Sequence, residues 1–262
     1  MTEITEARAQ QLRVTQHRWQ DGEVGHSRMP ALSELSDCDL AVQWPISKAA
    51  TEGSPIAASL RLAVMASGNG SNFEAVARAC IEKRLAGQVV LLVVNNAGCG
   101  AATRAERLGI PWRLLDHRQF ESREALDEAL IECFKSLAVD VVVMAGWMRI
   151  VTPTLIRAFP DRIVNIHPSL LPSFRGMDAV GQALAAGVTL AGCTAHLVSE
   201  EVDAGRILVQ AAVPVFTHDD PISLSQRIHT QEHRILPLAV QLAANRLRLP
   251  HAPGDPSAES QG

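Results

Sequence analysis

Three short apolar runs, each rich in valine, are the feature that most limits how this chain can fold. They are LRLAVMAS from Leu60, QVVLLVVNN from Gln88 and VDVVVMAG from Val139. Each run is followed by a segment in which apolar residues recur every three to four positions, as on one side of a helix. This alternation predicts βαβ units with a parallel sheet covered by helices.

Two of the intervening segments predict amphipathic helices on their own pattern. They are NFEAVARACIEKR and SREALDEALIECFKSL, and a serine stands at the predicted N-cap of each, Ser71 and Ser122. The apolar stripes are Phe73, Val76, Cys80 and Ile81 in the first helix, and Leu126, Leu130, Cys133 and Leu137 in the second.

The pattern changes after Ile163. Three extended segments with shorter connections follow, RIVNIH, GCTAHLV and ILVQAAVPV, and then a long final helix from Pro221 to Asn245, predicted to kink near Pro237. We therefore predict an α/β fold with a Rossmann-like, mostly parallel twisted sheet and helices on both faces. Its later strands are expected to be partly antiparallel, and it ends in a long C-terminal helix.

Composition divides the 262 residues into one domain with two appendages. Residues 1–59 are polar, lack sustained periodicity and end in the linker-like run KAATEGSPIAAS, which predicts a mostly disordered N-terminal extension. Residues 60–249 form the predicted domain. Residues 250–262 are rich in Pro, Gly and Ser and predict a flexible C-terminal tail.

Charge and cysteine usage argue against several classes of function. A net charge of -4 and a pI near 6.1 provide no electrostatic footprint for a nucleic-acid backbone, so we expect no nucleic-acid partner. The five cysteines are odd in number and scattered, without the paired spacing of a zinc site or a disulfide framework. We expect reduced, buried thiols without chemistry.

No segment predicts insertion into a membrane. The least charged stretch, residues 86–103, is interrupted by Gln, Asn and Gly and falls short of the about 20 consecutive apolar residues that a spanning helix needs. The N-terminus, MTEITEARAQ, contains acidic residues and no apolar core of a signal peptide. We therefore expect a cytoplasmic protein.

A glycine-containing turn, ASGNGSNFEA, joins the first strand to the first helix. Phe73 occupies the position of the third glycine of a dinucleotide fingerprint, so that interpretation is weak. Free backbone N–H groups at a helix N-terminus attract a single phosphate instead. Ser71 and Glu74 also fit a capping box, so phosphate binding and a merely tight turn remain equally open from the turn alone.

Two polar side chains end an otherwise apolar strand in VNIHPSLLPSFRG. Asn165 and His167 are two positions apart, so both side chains leave the same face, and Pro168 keeps His167 extended. A lone histidine beside a sheet is more often a hydrogen-bonded core residue than a catalyst. The carboxamide on the same face favours a second possibility, a cradle for a developing oxyanion.

An acidic loop, LVSEEVDAGRIL, provides a third candidate. Such loops are usually only solvated, and spacing alone does not bring Asp203 to His167. If the two strands are neighbours, we expect their C-terminal ends to converge at the crevice where parallel sheets bind ligands. A carboxylate there would favour the charged imidazole.

Four motifs in order resemble the glycinamide ribonucleotide formyltransferase family, folate-dependent enzymes of purine synthesis. The motifs are SGNGSN at Ser67–Asn72, AGWMRIVTP at Ala145–Pro153, NIHPSLLPSF at Asn165–Phe174 and VDAGRIL at Val202–Leu208. The resemblance runs from about Leu60 to Leu249 without large gaps.

This resemblance implies a reaction and a catalytic set. The amino group of 5-phosphoribosylglycinamide would attack the formyl carbon of 10-formyltetrahydrofolate, the cosubstrate, and tetrahydrofolate would leave without help from a metal. Asn165 would donate to the oxyanion, and protonated His167 would stabilise it and supply a proton to the departing nitrogen. Asp203 would hold His167 charged.

The resemblance also implies binding residues. The phosphate would lie on Gly70, Ser71 and Asn72, and Glu232 would meet the glycyl amine. The residues implied for the folate are Arg123, Met148, Arg149, Ile150, Val151, Asn165, Ser199, Glu200 and Glu201. Arg123 and Glu232 also have purely structural alternatives, a first-turn helix residue and an ion-pair partner. The implied partners are small molecules, and the chain is expected to be a monomer or a homodimer.

Some positions depart from the family pattern. Trp147 stands where Phe is common, close to the expected folate, and could reshape that pocket. After Gly176 the chain reads MDAVGQAL, so Asp178, Ala179 and Val180 replace expected histidines. The segment VNNAGCG lacks a Lys that often follows the second strand. We expect these changes to affect affinity rather than the type of reaction.

Other formyl-folate enzymes and an idle folate-binding protein are the rival interpretations. A methionyl-tRNA formyltransferase should carry a further C-terminal domain, and a formyltetrahydrofolate hydrolase should carry a folded sensor domain in front. The polar extension of about 59 residues fits a sensor domain poorly. The intact trio of Asn165, His167 and Asp203 argues against a protein that only binds. We expect removal of residues 1–55 to leave activity intact.

Overall fold

A single eight-stranded sheet organises the residues that the computed structural model describes, which are 42–44 and 60–248. The strands are β1 Val42–Trp44, β2 Leu60–Ala66, β3 Gly87–Val94, β4 Trp112–Leu114, β5 Val141–Met144, β6 Ile163–His167, β7 Leu190–Leu197 and β8 Ile207–Pro214. The helices are α1 Ser71–Ile81, α2 Gly100–Leu108, α3 Arg123–Ser136, α4 Pro153–Ala158, α5 Ala179–Ala185 and α6 Pro221–Arg248. The predictions for residues 1–41, 45–59 and 249–262, which concern most of the extension, its linker and the tail, lie outside the described residues.

The sheet has a parallel half and an antiparallel half. Its strand order is β1-β8-β7-β6-β5-β2-β3-β4. The neighbours from β6 to β4 pair in parallel, whereas β6 with β7, β7 with β8 and β8 with β1 pair antiparallel. The predicted fold class, a mostly parallel sheet whose later strands are partly antiparallel, is confirmed.

Helices cover both faces of this sheet, and the side chains of β2 alternate between the two faces. Leu62, Val64 and Ala66 pack on the face covered by α1, α2 and α6, while Ala63 and Met65 pack against α3 and α4. A strand buried on both faces has no reason to alternate apolar with polar residues. This double burial explains why the valine-rich runs are continuous.

The two predicted serine caps have different outcomes. The Oγ of Ser122 accepts a hydrogen bond from the N–H of Ala125 at 3.0 Å and caps α3 as expected. Ser71 is the first residue of α1, whose N-cap is Gly70 in the left-handed region at φ 78°. The predicted capping box is therefore wrong, because the carboxylate of Glu74 pairs with arginines instead.

The predicted apolar stripes are also only partly buried. In the first, Phe73 and Val76 are buried, but Ile81 is 60% exposed at the end of α1. In the second, Leu126, Leu130 and Cys133 are buried, while Leu137 is half-buried at the C-cap of α3.

The final helix α6 is one continuous element of 28 residues with Pro237 inside it. Its buried residues, including Leu224, Ile228 and Ile235, pack on the sheet beside α1. Among the helices of the described residues, none is long and apolar enough to cross a membrane.

Two short strands were missed by the sequence patterns. β4 has three exposed residues, and β1 lies inside the predicted N-terminal extension, where Val42 pairs with Ala212 and Trp44 with Gln210 of β8. Three residues are too few to show a period of two. Such a strand is set by the free hydrogen-bonding edge that it joins.

Removal of residues 1–55 should leave the rest of the sheet folded but expose the edge of β8. The lost backbone pairing should reduce the free energy of unfolding by about 1–3 kcal/mol, since each hydrogen bond contributes roughly 1 kcal/mol net. An unpaired edge also favours association between chains. Urea unfolding and light scattering test this prediction, and a truncated protein with unchanged stability and no added self-association would contradict it.

Candidate active site

The turn between β2 and α1, residues 68–72, presents backbone N–H groups at the N-terminus of a helix and is called the anion turn here. Gly70 is required in it for two reasons. Its φ of 78° is a left-handed conformation, and a Cβ at this position would lie 2.6 Å from the Cα of Ala101. The first N–H groups of α1 have no partner within the helix, so they are available to an anion.

Asn72 connects the anion turn to α6. Its Nδ2 donates a hydrogen bond to Oε2 of Glu232 at 2.7 Å, and its buried Oδ1 has no partner among the described residues. Burial raises the pKa of Glu232, although Asn72 and nearby His229 and His167 act in the opposite direction. A buried carboxyl and a free amide oxygen thus face the region between α1 and α6.

Asn165 and His167 lie on one face at the end of β6, as predicted. His167 is buried and its Nδ1 lies 3.3 Å from Oδ2 of Asp203. Its Nε2 lies 2.8 Å from the carbonyl oxygen of Phe174. Because both ring nitrogens face oxygen acceptors, only the doubly protonated imidazolium can donate to both.

Asp203 reaches His167 by a route that differs from the prediction. The strands β6 and β7 are neighbours, but they are antiparallel, so their C-terminal ends do not converge. The loop after β7 instead returns to the sheet face that carries His167. Asp203 adopts a left-handed φ of 52°, and its Oδ2 accepts a hydrogen bond from the N–H of Gly176 at 2.9 Å.

A second histidine, His196 of β7, belongs to this cluster and was not identified from the sequence. It lies directly opposite Asn165 in the β6–β7 pair. Its Nε2 lies 3.2 Å from Nδ2 of Asn165 and 3.6 Å from Oδ1 of Asp203, and its Nδ1 donates to the carbonyl of Leu197 at 2.8 Å. The sequence feature that could have identified it is a single histidine within the mostly apolar segment GCTAHLV.

The electrostatics of the cluster keep Asp203 ionised. Burial alone would raise the pKa of this carboxyl, but hydrogen bonds from His196 and Gly176 and the charge of His167 outweigh burial and lower it. Its Oδ2 lies 3.3 Å from Nδ1 of His167, and its Oδ1 lies 3.6 Å from Nε2 of His196. Beside this anion, the N–H donors of Asn165 and His167 can hydrogen-bond to negative charge on a bound reactant, and His167 can transfer a proton.

The segment after β5 presents the residues predicted for the folate. Met148 is 69% exposed and Ile150 is 56% exposed, which is unusual for apolar side chains, while Val151 is buried. The backbone N–H of Met148 donates to Ser67 Oγ at 2.9 Å, and the buried Nε of Arg149 has no partner among the described residues.

Arg123 stands apart from this segment but on a helix that is attached to it. It is exposed at the first residue of α3. One turn later, Asp127 accepts a hydrogen bond from the N–H of Thr152 at 2.6 Å. Within the described part of the chain, Arg123 is therefore joined to the other candidate residues through its helix rather than through its own side chain.

The acidic loop is held by arginines from outside it. Glu200 pairs with Arg157 at 3.2 Å and Glu201 with Arg175 at 2.6 Å. The hydroxyl of Ser199 donates to the carbonyl of Glu201 at 3.0 Å.

The departures from the family pattern have structural roles. Trp147 is buried in the core beneath α3 and α4, so its extra volume is accommodated by packing. Asp178 is the N-cap of α5 and accepts a hydrogen bond from the N–H of Gly181 at 3.2 Å. Within residues 60–248, no group of three or more His, Cys, Asp or Glu side chains has the arrangement of a metal site.

The family of the chain follows from comparison with known proteins. A family model described as formyl transferase matches residues 60–240, which include the anion turn, the end of β6 and the Asp203 loop. The chain belongs to the formyl transferase family.

Several relatives from this family carry specific names. A phosphoribosylglycinamide formyltransferase of Bacillus subtilis is 41% identical over 181 residues, which are 69% of this chain and 93% of that protein. The trifunctional purine biosynthetic protein adenosine-3 of Bos taurus is 43% identical over 185 residues, but the match covers only 18% of its length. The matched part of the chain therefore corresponds to about a fifth of the length of this trifunctional relative.

A solved structure of the same family has the same fold. It is the glycinamide ribonucleotide transformylase 1 of Symbiobacterium toebii, which superposes with a TM-score of 0.71 at 43% identity. The match covers 74% of this chain and 92% of that one.

Replacing Glu232 by glutamine should stabilise the protein at neutral pH. The raised pKa means that the folded state binds a proton more tightly than the unfolded state. The stability that this proton contributes is complete below the unfolded pKa and is lost as pH rises through the folded pKa. The glutamine side chain is neutral at every pH and still accepts a hydrogen bond from Asn72.

Thermal melts at several pH values test this prediction. Glu232→Gln should match the wild type in acid and melt higher at pH 7.5, whereas the exposed control Glu82→Gln should follow the wild type throughout. A lower melting temperature for Glu232→Gln at neutral pH would contradict the prediction.

Proposed function

We propose that this chain transfers a formyl group from 10-formyltetrahydrofolate to the amino group of 5-phosphoribosylglycinamide. The observation that carries this proposal is the cluster at the end of β6, where His167 lies 3.3 Å from Asp203 and shares one face with Asn165. Family membership supports formyl transfer, and the names of the relatives at 41% and 43% identity support this acceptor.

In the proposed reaction, the amine of 5-phosphoribosylglycinamide attacks the formyl carbon, and the formyl oxygen becomes an oxyanion. The Nδ2 of Asn165 and the imidazolium of His167 donate hydrogen bonds to that oxygen. His167 then delivers a proton to the departing folate nitrogen as the carbon–nitrogen bond breaks, and the proton that the attacking amine loses is relayed with the help of Asp203 back to His167. Asp203 keeps His167 charged and oriented.

His167 must change partners for this reaction to occur. Its Nε2 donates to the carbonyl of Phe174, and Nδ2 of Asn165 faces His196. The developing oxyanion is a stronger acceptor than a neutral carbonyl. Both donors therefore gain hydrogen-bond energy as negative charge forms, which is how such groups lower a barrier.

The ribonucleotide would lie between the anion turn and α6. Its phosphate binds the N–H groups of Gly70, Ser71 and Asn72. Glu232, whose pKa is raised by burial, meets the glycyl ammonium and can accept its proton, which leaves the neutral amine that attacks. The contact of Glu232 with Asn72 supports this arrangement because it joins the phosphate end to the amine end.

The folate would lie along the segment after β5 and the acidic loop. The exposed apolar side chains of Met148 and Ile150 supply surface for a flat ring, and backbone groups of residues 148–151 fix its polar edge. Ser199, Glu200 and Glu201 flank the pterin, and Arg123 and Arg149 offer cations to the carboxylates of the folate.

His167→Ala should remain folded and lose activity by about 10²–10⁴-fold, because one group acts as both acid and electrostatic stabiliser. His218→Ala, which changes an exposed histidine stacked on Phe216, should keep wild-type activity. The assay follows tetrahydrofolate release with 5-phosphoribosylglycinamide as acceptor.

Three outcomes of this assay would overturn the proposal. Full turnover by His167→Ala would show that His167, the residue on which the proposal rests, is not needed for the reaction. Wild-type release of formate without any acceptor would indicate a hydrolase. Transfer to methionyl-tRNA rather than to the ribonucleotide would indicate the other formyl-folate transferase.

Asp203→Asn should slow turnover by a comparable factor, while both substrates still bind. The amide can accept from Gly176, so the loop keeps this contact, but no negative charge remains to hold His167 protonated. Steady-state kinetics should show a fall in kcat with KM values close to wild type. An unchanged kcat across pH 6–9 would contradict this role.

A further inference from the structure

The anion turn is fixed by hydrogen bonds from α2. None of these bonds uses a group that is proposed to contact the substrate. The N–H of Ala101 donates to the carbonyl of Gly68 at 3.1 Å. One turn further along α2, Nε of Arg104 donates to the carbonyl of Asn69 at 2.8 Å, and its Nη2 donates to Oδ1 of the same residue at 3.1 Å. The carbonyls of Gly68 and Asn69 therefore face α2.

These carbonyl bonds determine where two N–H groups of the turn point, those of Asn69 and Gly70. In a planar trans peptide, the C=O and the N–H of the next residue point in opposite directions. With the carbonyls of Gly68 and Asn69 held towards α2, the N–H groups of Asn69 and Gly70 are directed away from it. Of these two, the N–H of Gly70 is one of the three that are proposed to bind the phosphate.

Arg104 also neutralises a charge that would oppose an anion. Glu74 lies in the first turn of α1, and a carboxylate there repels a phosphate at the same helix N-terminus. Arg104 forms an ion pair with this carboxylate, together with Arg78 at 2.7 Å and Arg107 at 2.8 Å. Burial would raise the pKa of Glu74, but Arg78 and Arg104 hold it below its usual range, so the ion pairs persist.

Arg104 differs from the other two arginines because it combines both roles. Arg78 and Arg107 contact Glu74 from positions that are more exposed, with 51% and 58% of the side-chain surface accessible against 27% for Arg104. Arg104 alone of the three donates to the turn as well, within the described residues. Its guanidinium is a planar group whose several N–H donors reach the turn and the carboxylate at once.

We infer that Arg104 is a positioning residue that orients the anion turn and thereby sets the affinity for the phosphate-bearing substrate. This inference rests on the proposed function, since it assumes that the phosphate lies on the turn. Arg104 stands behind the turn and touches no reacting atom. Its loss should weaken binding of the ribonucleotide and leave the chemical step unchanged.

Kinetics of two matched variants test this inference. Arg104→Met should raise KM for 5-phosphoribosylglycinamide by roughly 10- to 100-fold, the loss that corresponds to hydrogen bonds with a charged partner. Its kcat and its KM for 10-formyltetrahydrofolate should stay within about threefold of wild type. Arg107→Met removes the same charge from the same carboxylate and helix, and it should leave all three constants near wild type.

Arg104→Lys separates orientation from charge. Lysine keeps the positive charge near Glu74 but lacks the fork that holds Asn69, so it should restore only part of the lost affinity. Full restoration would mean that charge alone matters and would overturn the positioning role. Equal KM changes in Arg104→Met and Arg107→Met, or a parallel fall in kcat and in the affinity for both substrates, would overturn it too. If Arg104→Met does not fold, Arg104→Lys compared with Arg107→Lys decides the same question.

Binding of inorganic phosphate, measured by calorimetry, distinguishes failure of this inference from failure of the proposed function. Phosphate should bind Arg104→Met more weakly than wild type and Arg107→Met as wild type does. A wild type that does not formylate the ribonucleotide but shows this phosphate pattern would refute the proposed acceptor and keep the role of Arg104. Formylation by the wild type with equal phosphate affinity in all variants would keep the function and refute the role of Arg104.

Discussion

One buried carboxylate, that of Asp203, joins the parts of the candidate active site. It lies 3.3 Å from His167 and 3.6 Å from His196, and it accepts the backbone N–H of Gly176. The loops that follow β6 and β7 are thereby held together across one sheet face. Because these donors outweigh burial, the pKa of Asp203 is lowered and its carboxylate stays ionised.

The second half of the site depends on the carboxyl of Glu232, whose pKa is raised, whereas that of Asp203 is lowered. Glu232 is nearly inaccessible and pairs with an uncharged amide, so its pKa rises rather than falls. An enclosed acid of this kind reduces stability when ionised, but it can pair with an incoming ammonium group. The two pKa values differ because hydrogen bonds from His196 and Gly176 outweigh burial at Asp203, whereas burial outweighs the hydrogen bond from Asn72 at Glu232. One carboxyl is therefore suited to carrying a charge and the other to exchanging a proton.

Sequence patterns succeeded where a rule depends on near neighbours along the chain. The valine-rich runs, the cap by Ser122 and the shared face of Asn165 and His167 all follow from local periodicity or local hydrogen bonding. They failed where a partner is distant in sequence. Ser71 lost its predicted capping role because Gly70 adopts the N-cap position against Ala101, which belongs to the following helix.

Other misses have the same physical origin. The strand β1 exists because β8 offers an open edge, and His196 joins the cluster because antiparallel pairing sets it opposite Asn165. The sequence by itself determined the α/β class, the order of the six strands that it predicted, the family motifs and the residue types of the candidate site. Only the tertiary structure decided that Asp203 reaches His167 through a returning loop, that Asn72 meets Glu232, and that Arg104 holds the anion turn. Such contacts depend on strand direction and helix packing, which no local spacing encodes.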